Sequence, residues 1–465
     1  MKICERALHR LQITDPEGSV RICGWQYDGG VIGKLSECSM EEIYHSEEAK
    51  LIREKHFAQD YSNCNENACP YVANGTVDAH SLEVDEVPRF PQELYLAYEN
   101  VCNYHCVTCT IPACMERNKG RQAELERQYD HIDTELRKVL PHLRVLSANG
   151  LGELFVSHHI MRLLQSWAPE DFPEEQCRVD LETNGSLFDE THWKNIENVG
   201  RLPLHVAITI MSFEEEAYQR LSGTRLPISN LMDNLRFVKE LRTAGVINYL
   251  ELATVYQEGN FRTLPEFARR CVEEFGADYV RLRPYEPWVD PGLDEWMRDV
   301  RNADHPYHQE FLQVMQDPIF RHPKVHDWGG GKESGLGKAI YPKTMDQFRM
   351  MQQMLAMDDF AQRVKEYLDS DKVMIYAMTT AGKLLTSLLA QEMQVPYLMD
   401  RAQSGRSYHH IPIRGVASFE GLDRDLPVII SLATKSSIMV REMLRRGGYH
   451  RRIITLPELL AELQG

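Results

Sequence analysis

The sequence predicts an α/β protein: a partial (β/α)6 barrel preceded by a small cysteine-rich module and followed by a degenerate Rossmann-like α/β domain. Three observations carry that prediction. Short apolar runs alternate with amphipathic stretches from about residue 91 to 320, a pattern that folds as parallel strands joined by helices. Nine of the eleven cysteines precede residue 115. A second strand–helix series begins near residue 372. With 465 residues, more than one core is expected.

Residues 1–90 read as the cysteine-rich module. Arg10–Ile13 and Ser19–Cys23 are strand-like and flank the turn sequence Asp15-Pro16-Glu17-Gly18. A helix is predicted from Ser39 to His56, opened by a capping box at Ser39 and Glu42. Within 91–320 the predicted strands are Glu93–Tyr98, Val145–Ser147, Arg178–Glu182, Leu204–Thr209, Tyr249–Val255 and Tyr279–Leu282, with helices over Ile228–Thr243 and Arg262–Phe275. In such an architecture the chemistry belongs at the carboxyl ends of the strands. Residues 321–371 read as a linker and helical segment: the glycine-rich stretch from Trp328 to Gly337 is a linker or loop, and Met350–Met357 a helix face. Residues 372–465 form the last domain, with strands at Val373–Tyr376, Tyr397–Asp400 and Val428–Ser431.

Composition narrows the function. Hydrophobic residues make up 43% and charged residues 26%, as in a globular protein. No apolar run reaches the roughly 18 residues of a membrane span. The start, Met1-Lys2-Ile3-Cys4, lacks a secretory signal, so a cytoplasmic location is expected. A net charge of −17 argues against nucleic acid and anionic membranes as partners. In a reducing compartment, an odd and clustered set of cysteines points to metal or redox chemistry rather than disulfides.

Cys102-Asn103-Tyr104-His105-Cys106-Val107-Thr108-Cys109 has the spacing CxxxCxxC and follows the first predicted barrel strand. Three thiolates on one short loop can bind three irons of a [4Fe–4S] cube and leave the fourth open, the mark of a catalytic centre. Cys114 as a fourth ligand keeps a zinc site open. This arrangement resembles the radical S-adenosylmethionine (radical SAM) superfamily. The resemblance implies that the open iron binds S-adenosylmethionine, and that an electron from the cluster releases a 5′-deoxyadenosyl radical that takes hydrogen from a substrate.

The resemblance continues along residues 91–290. Gly150, Gly152 and Glu153 after the second strand resemble the family's GGE-type motif, whose turn faces the methionyl ammonium. Thr183 and Asn184 end the third strand, and Thr209 offers a hydroxyl on the fourth. Arg220 is the candidate partner of the methionyl carboxylate, with Arg225 as the other choice. Two departures stand out: Thr108 replaces an aromatic residue, and Met211 replaces an acid. No catalytic side chain is singled out.

Cys4, Cys23, Cys64 and Cys69 form the other set, in a segment that resembles a SPASM or twitch module. The resemblance implies a second, auxiliary [4Fe–4S] cluster. In relatives the module follows the barrel and the full version has more cysteines; here it precedes it. A zinc knuckle with the same ligands stays open, as does a role for Cys38. The expected partners are a reductant such as flavodoxin or ferredoxin and a peptide or sugar-type small-molecule substrate. The alternative from another class is a non-enzymatic iron–sulfur or zinc scaffold. In the last domain, Ala377 to Gly382 lies where a dinucleotide fingerprint would, with Asp400 at the ribose-acid position, but Gly382 alone of the glycines remains.

Overall fold

A computed structural model describes residues 2–24, 30–65, 69–73, 75–109, 115, 118–148, 151–172, 177–285, 298–301, 305–328, 341–400, 403–415, 419, 421–432 and 434–464. The chain divides into two units. One comprises residues 13–16 and 92–337; the other joins residues 1–12 and 17–91 to 338–465. The protein is a mixed α/β chain with parallel sheets.

The strands in chain order are β1 (Lys2–Cys4), β2 (Arg10–Ile13), β3 (Ser19–Arg21), β4 (Val31–Lys34), β5 (Ser81–Glu83), β6 (Glu93–Leu96), β7 (Val145–Ala148), β8 (Arg178–Thr183), β9 (Leu204–Thr209), β10 (Tyr249–Tyr256), β11 (Tyr279–Pro284), β12 (Val325–Asp327), β13 (Met374–Tyr376), β14 (Leu398–Met399), β15 (Ser407–Tyr408), β16 (Ile411–Arg414), β17 (Val428–Ile430) and β18 (Ile453–Thr455).

In the unit of residues 92–337, β6 to β12 lie side by side in sequence order, every neighbouring pair parallel. The sequence predicts six of these strands; β12 is the seventh, too short to show a period. Burial alternates strictly along β8 and β9. One face carries Leu94, Leu146, Leu181, Ile208, Leu252 and Leu282, all at most 1% exposed. Removing each such side chain from water stabilises the fold by roughly 1.5–3 kcal/mol, an upper figure given a partly collapsed unfolded chain. The helix Ile228–Thr243, at the predicted bounds, buries Leu231, Leu235 and Val238.

The opposite face is polar and half-buried, and the register aligns it in rows. Ser147, Asp180, His205 and Tyr249 form one row; Glu182, Ala207, Glu251 and Tyr279 the next. Thr209, Ala253, Arg281 and His326 form the row nearest the carboxyl ends. Arg281 pairs with Glu251 at 2.6 Å, so charge on this face is neutralised locally.

In the other unit, β1 pairs antiparallel with β5, and β3 with β4. The predicted helix from Ser39 to His56 is two helices, Met40–Tyr44 and Glu47–Phe57. The capping box at Ser39 and Glu42 forms, but Ser46 then caps a second start by accepting from the Ala49 amide. A second capping hydroxyl competes with helix continuation. The remaining sheet has the order β15-β16-β14-β13-β17-β18, with all pairs parallel except β15–β16. Its parallel strands therefore run 3-2-1-4-5, with the switch of direction between β13 and β17. Met350 and Met354 are buried in its core, on the helix Tyr341–Ala356.

Within this unit the cysteine-rich segment sits against the C-terminal sheet. Lys34, 3% exposed, donates to the Ser404 carbonyl at 2.6 Å, and Ser404 hydrogen-bonds Glu37. Arg406 pairs with Glu17 at 3.2 Å and Arg446 with Glu54 at 2.5 Å.

Candidate metal centres

The loop Cys102–Cys109 follows β6 after five residues and is held along its backbone. The His105 amide donates to the Ser222 carbonyl at 2.9 Å and the Val107 amide to Leu221 at 3.0 Å. Arg298 donates to the Val107 carbonyl at 2.8 Å. Gly223 makes that approach possible: it has φ +63°, and a Cβ there would lie 2.5 Å from the His105 carbonyl oxygen. Tyr104 and Tyr218 share a buried hydroxyl hydrogen bond. Asn184 donates to Asn103 at 2.9 Å, and Asn103 in turn to the Ser186 hydroxyl at 2.9 Å.

The sulfurs are in a position to carry charge only with help. Burial pushes the Cys102 thiol up to about 11 and Cys106 up to about 12, with repulsion from the neighbouring thiolates adding to it. Against this, the Tyr104 amide donates to the Cys102 sulfur at 3.3 Å and the Asn184 side-chain amide at 3.9 Å. Cys109 is exposed. A cationic cluster would offset both the burial and the repulsion, so this donor set fits one. Cys114 and Gly150 lie outside the described residues.

Gly152 brings the turn after β7 against the root of the cysteine loop: its Cβ would lie 2.6 Å from the Val101 carbonyl oxygen. The Glu153 amide donates to that same carbonyl at 2.8 Å. The resemblance implies that the turn carrying Glu153 faces the methionyl ammonium, with its carboxylate exposed there. Instead it is fully buried and accepts from the Thr183 hydroxyl (2.6 Å), the Asn184 amide (2.6 Å) and the Phe155 amide (3.2 Å). Burial raises its pKa while these donors oppose the rise. Its role in this geometry is to tie the turns after β7 and β8 together. Thr209 is half-buried at the end of β9. Arg220 is exposed on the helix Glu215–Ser222 and donates to the Gly259 carbonyl at 3.2 Å. Sequence reasoning missed Asn103, Tyr104, Gly223 and Arg298. Ser222-Gly223 does carry a legible signal, a helix ending in a left-handed glycine; Arg298 carries none.

Cys4, Cys23, Cys64 and Cys69 come within electrostatic reach of one another. Burial raises Cys4 to about 11, and the charges of Cys23 and Cys69 add to it. Cys64 is raised further by burial, then by Cys69, Cys23 and Cys4. Burial raises Cys38 as well, and the charges of Glu42 and Glu37 add to it. His56, 3% exposed, sets its Nε2 3.6 Å from the Cys64 sulfur, and burial lowers its pKa to about 4. All ten described cysteines are free thiols. Among the described residues no three Cys, His, Asp or Glu side chains converge on a single ion. A [4Fe–4S] cluster makes no such demand, because each sulfur binds a different iron.

The switch point of the C-terminal sheet is filled from within. Ala377 retains the backbone of the first fingerprint glycine, with φ +73°. Gly382 is packed so that a Cβ would lie 2.4 Å from the Ser431 hydroxyl. The Thr379 hydroxyl accepts from the Gly382 amide at 3.0 Å, and the Gln347 side chain from the Ala381 amide at 3.0 Å. Asp400 accepts from the Met378 and Gln403 amides at 2.7 and 2.9 Å. Two arginines of the C-terminal basic stretch are ion-paired, Arg451 with Asp425 and Arg441 with Glu458.

No family model matches the chain, and no curated protein matches it. The solved structures that do match include native anSMEcpe with bound AdoMet and a hexahistidine-tagged anSMEcpe with bound AdoMet. Each is 13% identical with a TM-score of 0.30, and the match covers 46% of this chain. It spans 58% and 59% of those two chains. Among the described residues no helix is long and apolar enough to cross a membrane.

Proposed function

We propose that this chain is a radical SAM enzyme, with Cys102, Cys106 and Cys109 as the ligands of its catalytic cluster. The observation that carries the reading is the tethering of the CxxxCxxC loop at the carboxyl end of β6, against residues that follow β8 and β9. When bound, a [4Fe–4S] cluster with one open iron supplies the electron that cleaves S-adenosylmethionine to a 5′-deoxyadenosyl radical.

The chain's own residues do the positioning. Asn184 holds Asn103 and reaches the Cys102 sulfur, so the ligand loop and the end of β8 move as one. Glu153 fixes Asn184 by its backbone amide and acts as a positioning residue. Thr209 and Arg220 are the candidates for the cofactor's polar groups. The polar rows on the sheet face beneath are the reading's substrate side, in a partial barrel, where a peptide side chain or sugar-type metabolite would lose hydrogen. Cys4, Cys23, Cys64 and Cys69 would hold an auxiliary cluster in a SPASM-like module. A flavodoxin or ferredoxin in the cytoplasm would supply electrons.

The test is anaerobic reconstitution with iron and sulfide, then dithionite and S-adenosylmethionine. The expected result is a brown protein that forms 5′-deoxyadenosine, and a Cys102→Ala/Cys106→Ala/Cys109→Ala variant that forms none. A colourless zinc protein that leaves the cofactor intact would sink the reading in favour of a scaffold.

A further inference from the structure

His56 is at the end of the helix Glu47–Phe57, and two features set it apart from an ordinary core histidine. It is 3% exposed, yet its Nε2 faces a sulfur, Cys64 Sγ, at 3.6 Å. Its ring is also fixed on another side, where Tyr61 packs edge-on at 5.2 Å. The Tyr61 carbonyl in addition accepts from the Cys64 amide at 2.9 Å, so ring and sulfur are positioned by the same turn. Lys55 and Asp60, the charged groups beside this turn, pair with each other at 3.2 Å.

We propose that His56 donates its Nε2–H to the Cys64 sulfur and sets the reduction potential of the auxiliary cluster held by Cys4, Cys23, Cys64 and Cys69. This rests on the auxiliary-cluster reading above. The physical reason is charge. One-electron reduction places one more negative charge on the cluster and its thiolates. A donor aimed at a ligand sulfur stabilises that reduced form more than the oxidised one and raises the potential. At the triad, the Cys102 sulfur instead takes its hydrogen bonds from the Tyr104 backbone and the Asn184 side chain. The two clusters would therefore be poised by different donors and be adjustable separately.

The experiment uses the full chain carrying Cys102→Ala/Cys106→Ala/Cys109→Ala, so that one cluster alone is reconstituted and titrated with dithionite under electron paramagnetic resonance. His56→Leu removes the donor, and His56→Gln keeps an N–H at similar reach. The expected result is a midpoint potential moved negative in His56→Leu and largely restored in His56→Gln. An unchanged potential in His56→Leu overturns the proposal. So does loss of the cluster from both variants, which would make His56 a prop of the fold. If the parent variant binds zinc or about no iron, the auxiliary-cluster reading itself fails, a result visible before any histidine is changed.

Discussion

The loop Cys102–Cys109 gathers three thiols within one turn of chain, whereas Cys4, Cys23, Cys64 and Cys69 arrive from separate segments of a longer stretch. In both places burial pushes the thiols up and neighbouring thiolates push them further. The difference lies in what stands around the sulfurs. The triad loop has one exposed member, Cys109, and is tied down by its own backbone. The quartet includes two buried members, Cys4 and Cys69, and a histidine. An open side suits a site that must admit a cofactor; an enclosed one suits electron storage or a structural role. The lesson is that the direction of the thiol pKa shifts does not separate the two sites, while thiol count, access and tethering do.

The largest test of that contrast is to remove the quartet. Cys4→Ala/Cys23→Ala/Cys64→Ala/Cys69→Ala should lose about half of the reconstituted iron, roughly four atoms per chain, and keep cofactor cleavage. Iron analysis beside a 5′-deoxyadenosine assay reads both. Loss of cleavage in this variant would erase the distinction between the sites.

Acid should act on the root of the triad loop. Tyr98 hydrogen-bonds His159 Nδ1 at 2.6 Å, and Glu99 accepts from the His159 amide at 2.9 Å. Burial lowers the His159 pKa from 6.5 to about 4. Between those values the unfolded chain binds the extra proton, so stability falls as pH drops through 6.5 and levels off below about 4. The loss is at most on the order of 3 kcal/mol. Protection of residues 98–109 against hydrogen exchange, corrected for the intrinsic pH dependence of amide exchange, should therefore fall over that window. His159→Gln should remove the pH dependence there and leave exchange at residues 60–65 as in the parent.

Gly223→Ala comes next. A Cβ 2.5 Å from a backbone oxygen, at φ +63°, should cost about 1–3 kcal/mol. It should lower the yield of the triad cluster in reconstitution without changing the quartet's. The smallest effect is expected for Asn184→Ala, about 1 kcal/mol from its side-chain hydrogen bonds. A urea midpoint shift of that size, with a small change in the triad's spectrum alone, would sharpen the contrast. An equal change at both sites would break it.

The parallel strands are legible because burial on one face writes a period of two into the chain: β9 matches its predicted bounds residue for residue, and the helix Ile228–Thr243 likewise. β12 is not legible, since three residues show no period. The break at Ser46 escapes the pattern because a capping hydroxyl inside a helical stretch is locally ambiguous. At the triad, spacing along the chain is enough to name the candidate ligands. Nothing along the chain indicates that Glu153 turns inward, because the orientation of a side chain after a turn depends on donors from the next strand's end.

By itself the sequence determined the strand–helix alternation, the two groups of cysteines and the CxxxCxxC loop, all of which are local or periodic. Tertiary structure decided that Cys4, Cys23, Cys64 and Cys69 come within electrostatic reach of one another, and that His56 faces Cys64. It also decided that Thr379 and Gln347 take the amides a phosphate would need. The reason is common to all of these. Each depends on which distant segments pack against one another, and that is set by burial summed over the whole core rather than by any residue's neighbours in the chain.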